Sequence, residues 1–301
     1  MQKILVVLFS LWFSCSIFAQ EKIDKISRIA IICAFQPEIP ELKAALKNAK
    51  THTIHRTQFI TGKIGNKDVV LFLSGMSMVN AAMTTQMALD HFNVEKIVFS
   101  GVAGGINPNL SIGDVSIPEQ WSQYQETVMA REVSKDHFEI PPFLNKTPYA
   151  NFGMVFPQNV QIANGDKAPE EKFWFKVDEN LMAQAKTILA KPNLNRCTAE
   201  EHCLSHPPKV VFGGNGVSGQ SFMDNAAYRE YVYSTFQANV VDMESASVGH
   251  VAYSNNVPFI VFRSLSDLAG GGEGANEETI FMELAAKNSS QLVTQFVKAL
   301  K

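Results

Sequence analysis

What most constrains this chain is an alternation: short apolar runs closed by small or polar residues, each followed by a segment with apolar residues at helical spacing. Runs of that kind read as buried strands, and their alternation with amphipathic segments points to an α/β domain rather than a sandwich or a bundle. Residues 28–35 form the first run, and residues 37–47 carry helix-spaced Ile39, Leu42, Ala45 and Leu46. A second strand is expected at 68–73, then the turn Ser74-Gly75-Met76-Ser77. A helix follows over 78–92, with Val79, Ala82, Met83, Met87 and Leu89 as its apolar positions. Residues 96–100 read as a strand running into Gly101-Val102-Ala103-Gly104-Gly105. The pattern resumes at 209–212, 239–242 and 258–262, with helices near 244–254 and 278–300.

Residues 119–208 interrupt it. They are rich in aromatics, Pro and Asn, and only 178–189 reads as a helix, so they are expected to form an insertion of long connections. Hydrophobic residues make up 46% of the 301 and charged residues 18%, enough apolar surface for a sizeable core. The net charge of −3, with no long basic run, leaves no footprint for nucleic acid.

The first 19 residues have the layout of a secretory signal: Lys3, the apolar run 4–13, then small residues ending at Ala19. The run is shorter than the roughly 20 apolar residues of a membrane anchor. Cleavage after Ala19, a periplasmic or secreted location and no membrane association after cleavage are the expectations. A single domain would then cover 20–301. Cleavage also removes Cys15 and leaves Cys33, Cys197 and Cys203. Cys33 sits in an apolar run and is expected to be buried. Cys197 and Cys203, in a polar stretch, are expected to pair in an oxidising compartment; a zinc site with His202 and His206 is the rival reading.

In an open α/β sheet, ligands bind beyond the carboxyl ends of the strands. The residues just after each apolar run therefore matter most, and three carboxylates stand there: Glu38, Glu244 and Asp267. Each also has a structural reading, because Glu38 and Glu244 open helices, where the dipole favours a carboxylate, and Asp267 could cap a turn. No Gly-Lys-Ser/Thr follows Gly105, no Gly-x-Gly-x-x-Gly is paired with an acid, and Gly216-Val217-Ser218-Gly219-Gln220 lacks the second glycine of a nucleophile elbow. The histidines show no metal-ligand spacing. A site without metal or cofactor, built from carboxylates, small residues and backbone amides, is what remains.

Four motifs occur in order: 31–38 (Ile-Ile-Cys-Ala-Phe-Gln-Pro-Glu), Ser100 to Gly105 followed by Gly113-Asp114-Val115, Val241-Asp242-Met243-Glu244, and Arg263-Ser264-Leu265-Ser266-Asp267. Together they resemble the nucleoside phosphorylase/nucleosidase superfamily, most closely its 5′-methylthioadenosine/S-adenosylhomocysteine nucleosidase branch. The resemblance covers 28–115 and 209–300. It implies a three-layer α/β/α sandwich about a central mixed sheet, and hydrolysis of the N-glycosidic bond of a purine nucleoside by water.

The resemblance also implies roles. Asp267 matches the acid that protonates the purine, with Ser266 orienting it; Glu38 matches the base that activates water. Glu244 matches the carboxylate that grips the ribose hydroxyls, and Met243 packs on the sugar. Phe222 matches the aromatic that stacks on the base, while backbone groups at Met223 read its edge. Gly104 belongs to the glycine motif of the binding edge. Phosphorylases carry a Gly-Asp-Pro-x-Arg type loop at the first strand end, where this chain has Ala34-Phe35-Gln36-Pro37-Glu38, so hydrolysis is expected over phosphorolysis. Two positions depart from the branch: Val102 stands where a hydroxyl residue is common, and Glu278 where an aromatic usually meets the 5′-thioalkyl group. The length between Gly113 and Ser218 resembles that of exported storage-type members, some of them non-catalytic. A homodimer or higher oligomer is implied by the family.

Overall fold

The structure, a computed structural model, describes residues 22–164 and 167–301. The segment read as a signal lies outside the described residues. Strand Ser27–Cys33 is central, parallel to Lys67–Leu73 on one side and to Asn93–Gly105 on the other. Phe259–Asp267 runs parallel to Asn93–Gly105, while Ala238–Asp242 pairs antiparallel with it. The edge is extended antiparallel by Thr57–Ile64 and Lys47–Ile54, so the sheet is mixed. Parallel strands buried on both faces must be apolar throughout, which is why Ile29 to Ala34 and Phe259 to Phe262 read as unbroken runs. Helices Met78–His91 and Ser245–Ser254 pack together, while Glu278–Ala299 packs on the Phe259–Asp267 strand with Pro40–Ala45 and Glu179–Ile188 beside it. The architecture is the expected mixed sheet flanked by helices.

Several boundaries differ from the sequence reading, and the differences matter for the site. The strand expected at 96–100 extends over Asn93–Gly105, so the glycine cluster lies inside a strand rather than in a loop after it. The strand expected at 258–262 likewise continues to Asp267. Polar and glycine residues ended both readings, yet tertiary pairing between these two strands carries them on together.

The expected 37–47 helix divides into a 3-10 turn at Gln36–Glu38 and a helix at Pro40–Ala45, because the prolines favour a first-turn position. Its remainder starts the Lys47–Ile54 strand, which forms a hairpin with Thr57–Ile64 that the sequence reading passed over. Helix Ala226–Phe236 was also passed over. On Met78–His91 the buried face is Met78, Ala81, Thr84, Thr85, Ala88 and Leu89, whereas Val79 and Met83, two of its expected apolar positions, face outward. Thr84 is tolerated inside because its hydroxyl donates to the Ser74 carbonyl at 3.0 Å.

Residues 119–208 hold more regular structure than expected. Gln120–Ser122 and Phe175–Lys176 join the main sheet, and three two-stranded antiparallel pairs lie apart from it, Arg131–Ser134 with His137–Glu139, Thr127–Met129 with Val155–Pro157, and Val160–Asn164 with Lys167–Lys172. Tyr124, Tyr149 and Phe173 pack against Phe236 of the Ala226–Phe236 helix. Cys197 and Cys203 are joined by a disulfide, which uses both thiols that a zinc site would need; Cys33 is free and buried.

Candidate active site

The first strand ends in the 3-10 turn at Gln36–Glu38, which folds the Glu38 side chain back under the strand end. Its Oε2 accepts from the Ala34 amide at 2.6 Å and its Oε1 from the Val102 amide at 2.8 Å. Burial raises the Glu38 pKa above the ordinary carboxylate value, and the nearby Arg263 guanidinium and these amides oppose that rise. The carboxylate is thus held in one orientation yet kept basic. Val102 contributes through its backbone, so the missing hydroxyl at this position does not remove the contact to Glu38.

Arg263 organises the floor. It is fully buried, its Nε lies 2.7 Å from Asp242 Oδ2, and its Nη1 and Nη2 lie 3.6 and 3.4 Å from Glu38 Oε1 and Glu244 Oε2. The guanidinium also stacks over the Phe99 ring at 4.2 Å and donates to the Val102 carbonyl. One cation therefore serves three carboxylates, and the Arg263 pKa is raised: burial acts to lower it, but Asp242, Glu38 and Glu244 outweigh burial. Gly101 makes room for this arrangement. A Cβ there would stand 2.0 Å from Arg263 Nη1 and 2.6 Å from Glu38 Oε1. Asp242 is itself tied down by the Ser218 and Ser245 hydroxyls and by the Ser245 amide at 3.1 Å.

Glu244 stands at the N-terminus of helix Ser245–Ser254. Its Oε1 accepts from the Ser77 amide at 2.8 Å. Burial pushes its pKa up to about 7; Arg263 opposes this and Asp242 adds to it. Ser77 adopts φ 81° and ψ 151°, a region that suits glycine, and its hydroxyl donates to Gln220 Oε1 at 2.5 Å.

Asp267 is aimed by an irregularity. The register of Phe259–Asp267 against Asn93–Gly105 shifts between Leu265 and Asp267, so that Leu265 pairs with Ala103 and Asp267 with Gly104. Asp267 Oδ2 accepts from the Ser266 hydroxyl at 2.9 Å and Oδ1 from the Ala269 amide at 2.7 Å. Both the turn-capping reading and the site reading of this residue are therefore satisfied by one geometry. A Cβ at Gly104 would lie 3.2 Å from Asp267 Oδ1, so a side chain there would crowd the carboxylate.

These elements enclose a cleft of about 680 Å³ including its open mouth, within the range of small-molecule sites. Glu38, Glu244, Asp267, Ser266, Met243, Val102, Gly104, Phe222 and Met223 all line it. Glu38, Glu244 and Asp267 are each at most 5% exposed, whereas Phe222 is 58% exposed. Glu278, the other departure, lines the same cleft. Sequence reasoning assigned no role to Arg263, Asp242 or Ser77. The first two stood within quoted motifs, and charged residues inside an apolar strand run were the available signal. Nothing local marked Ser77.

The family described as the phosphorylase superfamily matches residues 28–298. Over 273 residues the chain is 31% identical to the 5′-methylthioadenosine/S-adenosylhomocysteine nucleosidase of Marinomonas sp. (strain MWYL1), covering 90% of this chain and 99% of the relative. Its counterpart from Staphylococcus haemolyticus is 29% identical, covering 90% and 100%. Among solved structures, a mutant of Helicobacter pylori MTAN with 5′-methylthioadenosine in its active site is similar at TM-score 0.67 and 26% identity, covering 91% of this chain and 99% of that one. The futalosine hydrolase of Helicobacter pylori is similar at TM-score 0.67 and 25% identity, covering 91% and 98%. The match spans every strand and helix that contributes to the cleft, and on that ground the chain belongs to the phosphorylase superfamily, close to the 5′-methylthioadenosine/S-adenosylhomocysteine nucleosidases.

Proposed function

We propose that this chain is an N-ribosyl hydrolase that cleaves the N-glycosidic bond of purine nucleosides of the adenosine type, methylthioadenosine and S-adenosylhomocysteine included. The observation that carries the reading is the single cleft in which Glu38, Glu244 and Asp267 meet, all buried and all oriented by backbone or side-chain donors. Cleavage passes through a ribosyl cation, so the leaving base needs a proton, the cation a counter-charge and the nucleophile a base.

In this reading Asp267, oriented by Ser266, acts as the acid that delivers a proton to a purine ring nitrogen as the bond to the sugar breaks. Glu244 holds the ribose hydroxyls and balances the developing positive charge. Water adds to the anomeric carbon and passes its proton to Glu38. Met243 packs on the sugar, Phe222 covers the base, and backbone groups at Met223 read its edge. Water is favoured over phosphate because Arg263, the guanidinium at the floor, is already engaged by three carboxylates, and the Glu38 carboxylate repels an anion. Release of free base from adenosine, inosine and methylthioadenosine, with and without phosphate, tests the reading. A strict phosphate requirement would replace it with a phosphorylase, and binding without turnover would replace it with a non-catalytic storage role.

The layout of residues 1–19 supports export to the periplasm or the exterior, with one domain over 20–301 and residues 119–208 as an insertion of the exported storage type. N-terminal sequencing of the exported protein tests the cleavage after Ala19. Met76, Val79, Met83 and Phe222 are each more than half exposed, near or along the helix that follows the Ser74 turn. That apolar surface beside the cleft supports a homodimer or higher oligomer, which sedimentation measures directly.

A further inference from the structure

Four of the five carboxylates that line the cleft are bound by donors of the protein, Asp242 among them through Ser218, Ser245 and Arg263, and the fifth is not. Glu38 accepts from two amides, Glu244 from Ser77 and Arg263, and Asp267 from Ser266 and Ala269. Glu278 donates its own backbone N–H to Asn276 Oδ1 at 2.9 Å, but among the described residues no hydrogen bond or ion pair engages its carboxylate. It is half-buried and lines the cleft.

Its place is fixed from two sides. It lies in the first turn of helix Glu278–Ala299, which packs along the strand that ends in Asp267. Asn276 in turn donates to Asp224 Oδ1 at 3.0 Å, which ties the helix start to the loop carrying Phe222 and Met223. Glu278 therefore faces the cleft from between the Asp267 end and the Phe222 loop. Burial, followed by the Asp267 carboxylate, raises its pKa above the ordinary value.

An unpartnered carboxylate closed in by an apolar group or by another acceptor loses hydration without compensation, whereas a donor restores it. We infer that Glu278 is a specificity-determining residue, accepting a hydrogen bond from an N–H or O–H donor on the bound nucleoside. The inference rests on the nucleosidase reading and deepens it. The cleft then favours nucleosides that bring a donor to this wall over those that bring a thioether or an oxo group. Two groups of a nucleoside supply that chemistry, the exocyclic amine of the base and a free 5′-hydroxyl.

The test measures kcat/KM on the full chain for adenosine, 5′-deoxyadenosine, 5′-methylthioadenosine and inosine, in the wild type and in Glu278→Leu and Glu278→Ala. Both variants remove the acceptor, and circular dichroism verifies the fold of each. The expected result is a fall of about tenfold in one ratio, by loss on adenosine. If the donor is the 5′-hydroxyl, adenosine over 5′-deoxyadenosine falls and 5′-methylthioadenosine becomes the better substrate. If it is the amine, adenosine over inosine falls instead. Ratios unchanged in every folded variant overturn the inference and leave the nucleosidase reading intact. Absence of base release from all four nucleosides in the wild type overturns that reading.

Discussion

Arg263 Nε lies 2.7 Å from Asp242 Oδ2, with both side chains at most 2% exposed. This pair joins the end of one strand to the middle of another, and the same guanidinium reaches Glu38 and Glu244. Removing the cation leaves three carboxylates together in a dry site. Arg263→Leu is expected to lower the unfolding free energy by about 3–5 kcal/mol, read by urea denaturation. A loss below about 1 kcal/mol would mean that the cluster does not depend on its cation.

Asp267→Asn keeps the shape of the side chain and removes its proton-donating ability. Base release is expected to fall by roughly 10²–10⁴-fold with nucleoside binding retained, measured by single-turnover kinetics and calorimetry. Wild-type rates in this variant would remove Asp267 from the role of acid.

Glu38 acts as base only when ionised, and burial raises its pKa above the ordinary 4.5. As pH falls, activity should therefore be lost earlier than an ordinary glutamate would dictate. The acid limb of kcat/KM is expected above pH 4.5, and Glu244, pushed up to about 7, adds to the same limb. A limb at or below 4.5, or wild-type kcat/KM in Glu38→Gln, would count against Glu38 as the base.

Gly101 is the position at which the floor tolerates no side chain. Gly101→Ala is expected to displace Arg263 or Glu38, because the added carbon would sit 2.0 and 2.6 Å from their polar atoms. Activity should drop by at least about a hundredfold, consistent with the cost of misplacing a reacting group. Near wild-type turnover would show that the ion pair can shift at little cost.

Ser77 holds a backbone conformation that glycine adopts freely. Ser77→Gly should relieve strain and raise the unfolding free energy by about 1 kcal/mol, with the loss of the Gln220 bond subtracting from that gain. Denaturation midpoints of Ser77→Gly and Ser77→Ala separate the two contributions, since alanine loses the bond but keeps the strain. A Ser77→Gly variant no more stable than Ser77→Ala would refute the strain.

Much of the cleft could be read along the chain. Glu38, Glu244 and Asp267 each follow an apolar run. Ser27–Cys33 and Phe259–Asp267, both parallel to Asn93–Gly105, deliver Glu38 and Asp267 to one edge, so position along the sequence stood in for position in space. Glu244 reaches the same cleft from the end of Ala238–Asp242, which is antiparallel to Asn93–Gly105. The hairpin at Lys47–Ile54 and Thr57–Ile64 was not legible in the same way. It lies at the sheet edge, where Lys47 to Thr51 are exposed and apolar periodicity weakens. The outward place of Val79 and Met83 was not legible either. Their helix has apolar residues on two faces, and periodicity does not say which one meets the sheet.

The sequence by itself determined the α/β class, the order of the buried central strands and the carboxylates that reach the binding edge, because burial imposes a pattern on each element separately. Only the tertiary structure decided which of those carboxylates are partnered. The ion pairs of Arg263, the amides on Glu38, the bulge that turns Asp267 and the bare carboxylate of Glu278 all arise where segments far apart in the chain meet. Hydrogen bonds and ion pairs require atoms within a few ångströms and in line, and such distances are set by packing rather than by spacing along a chain.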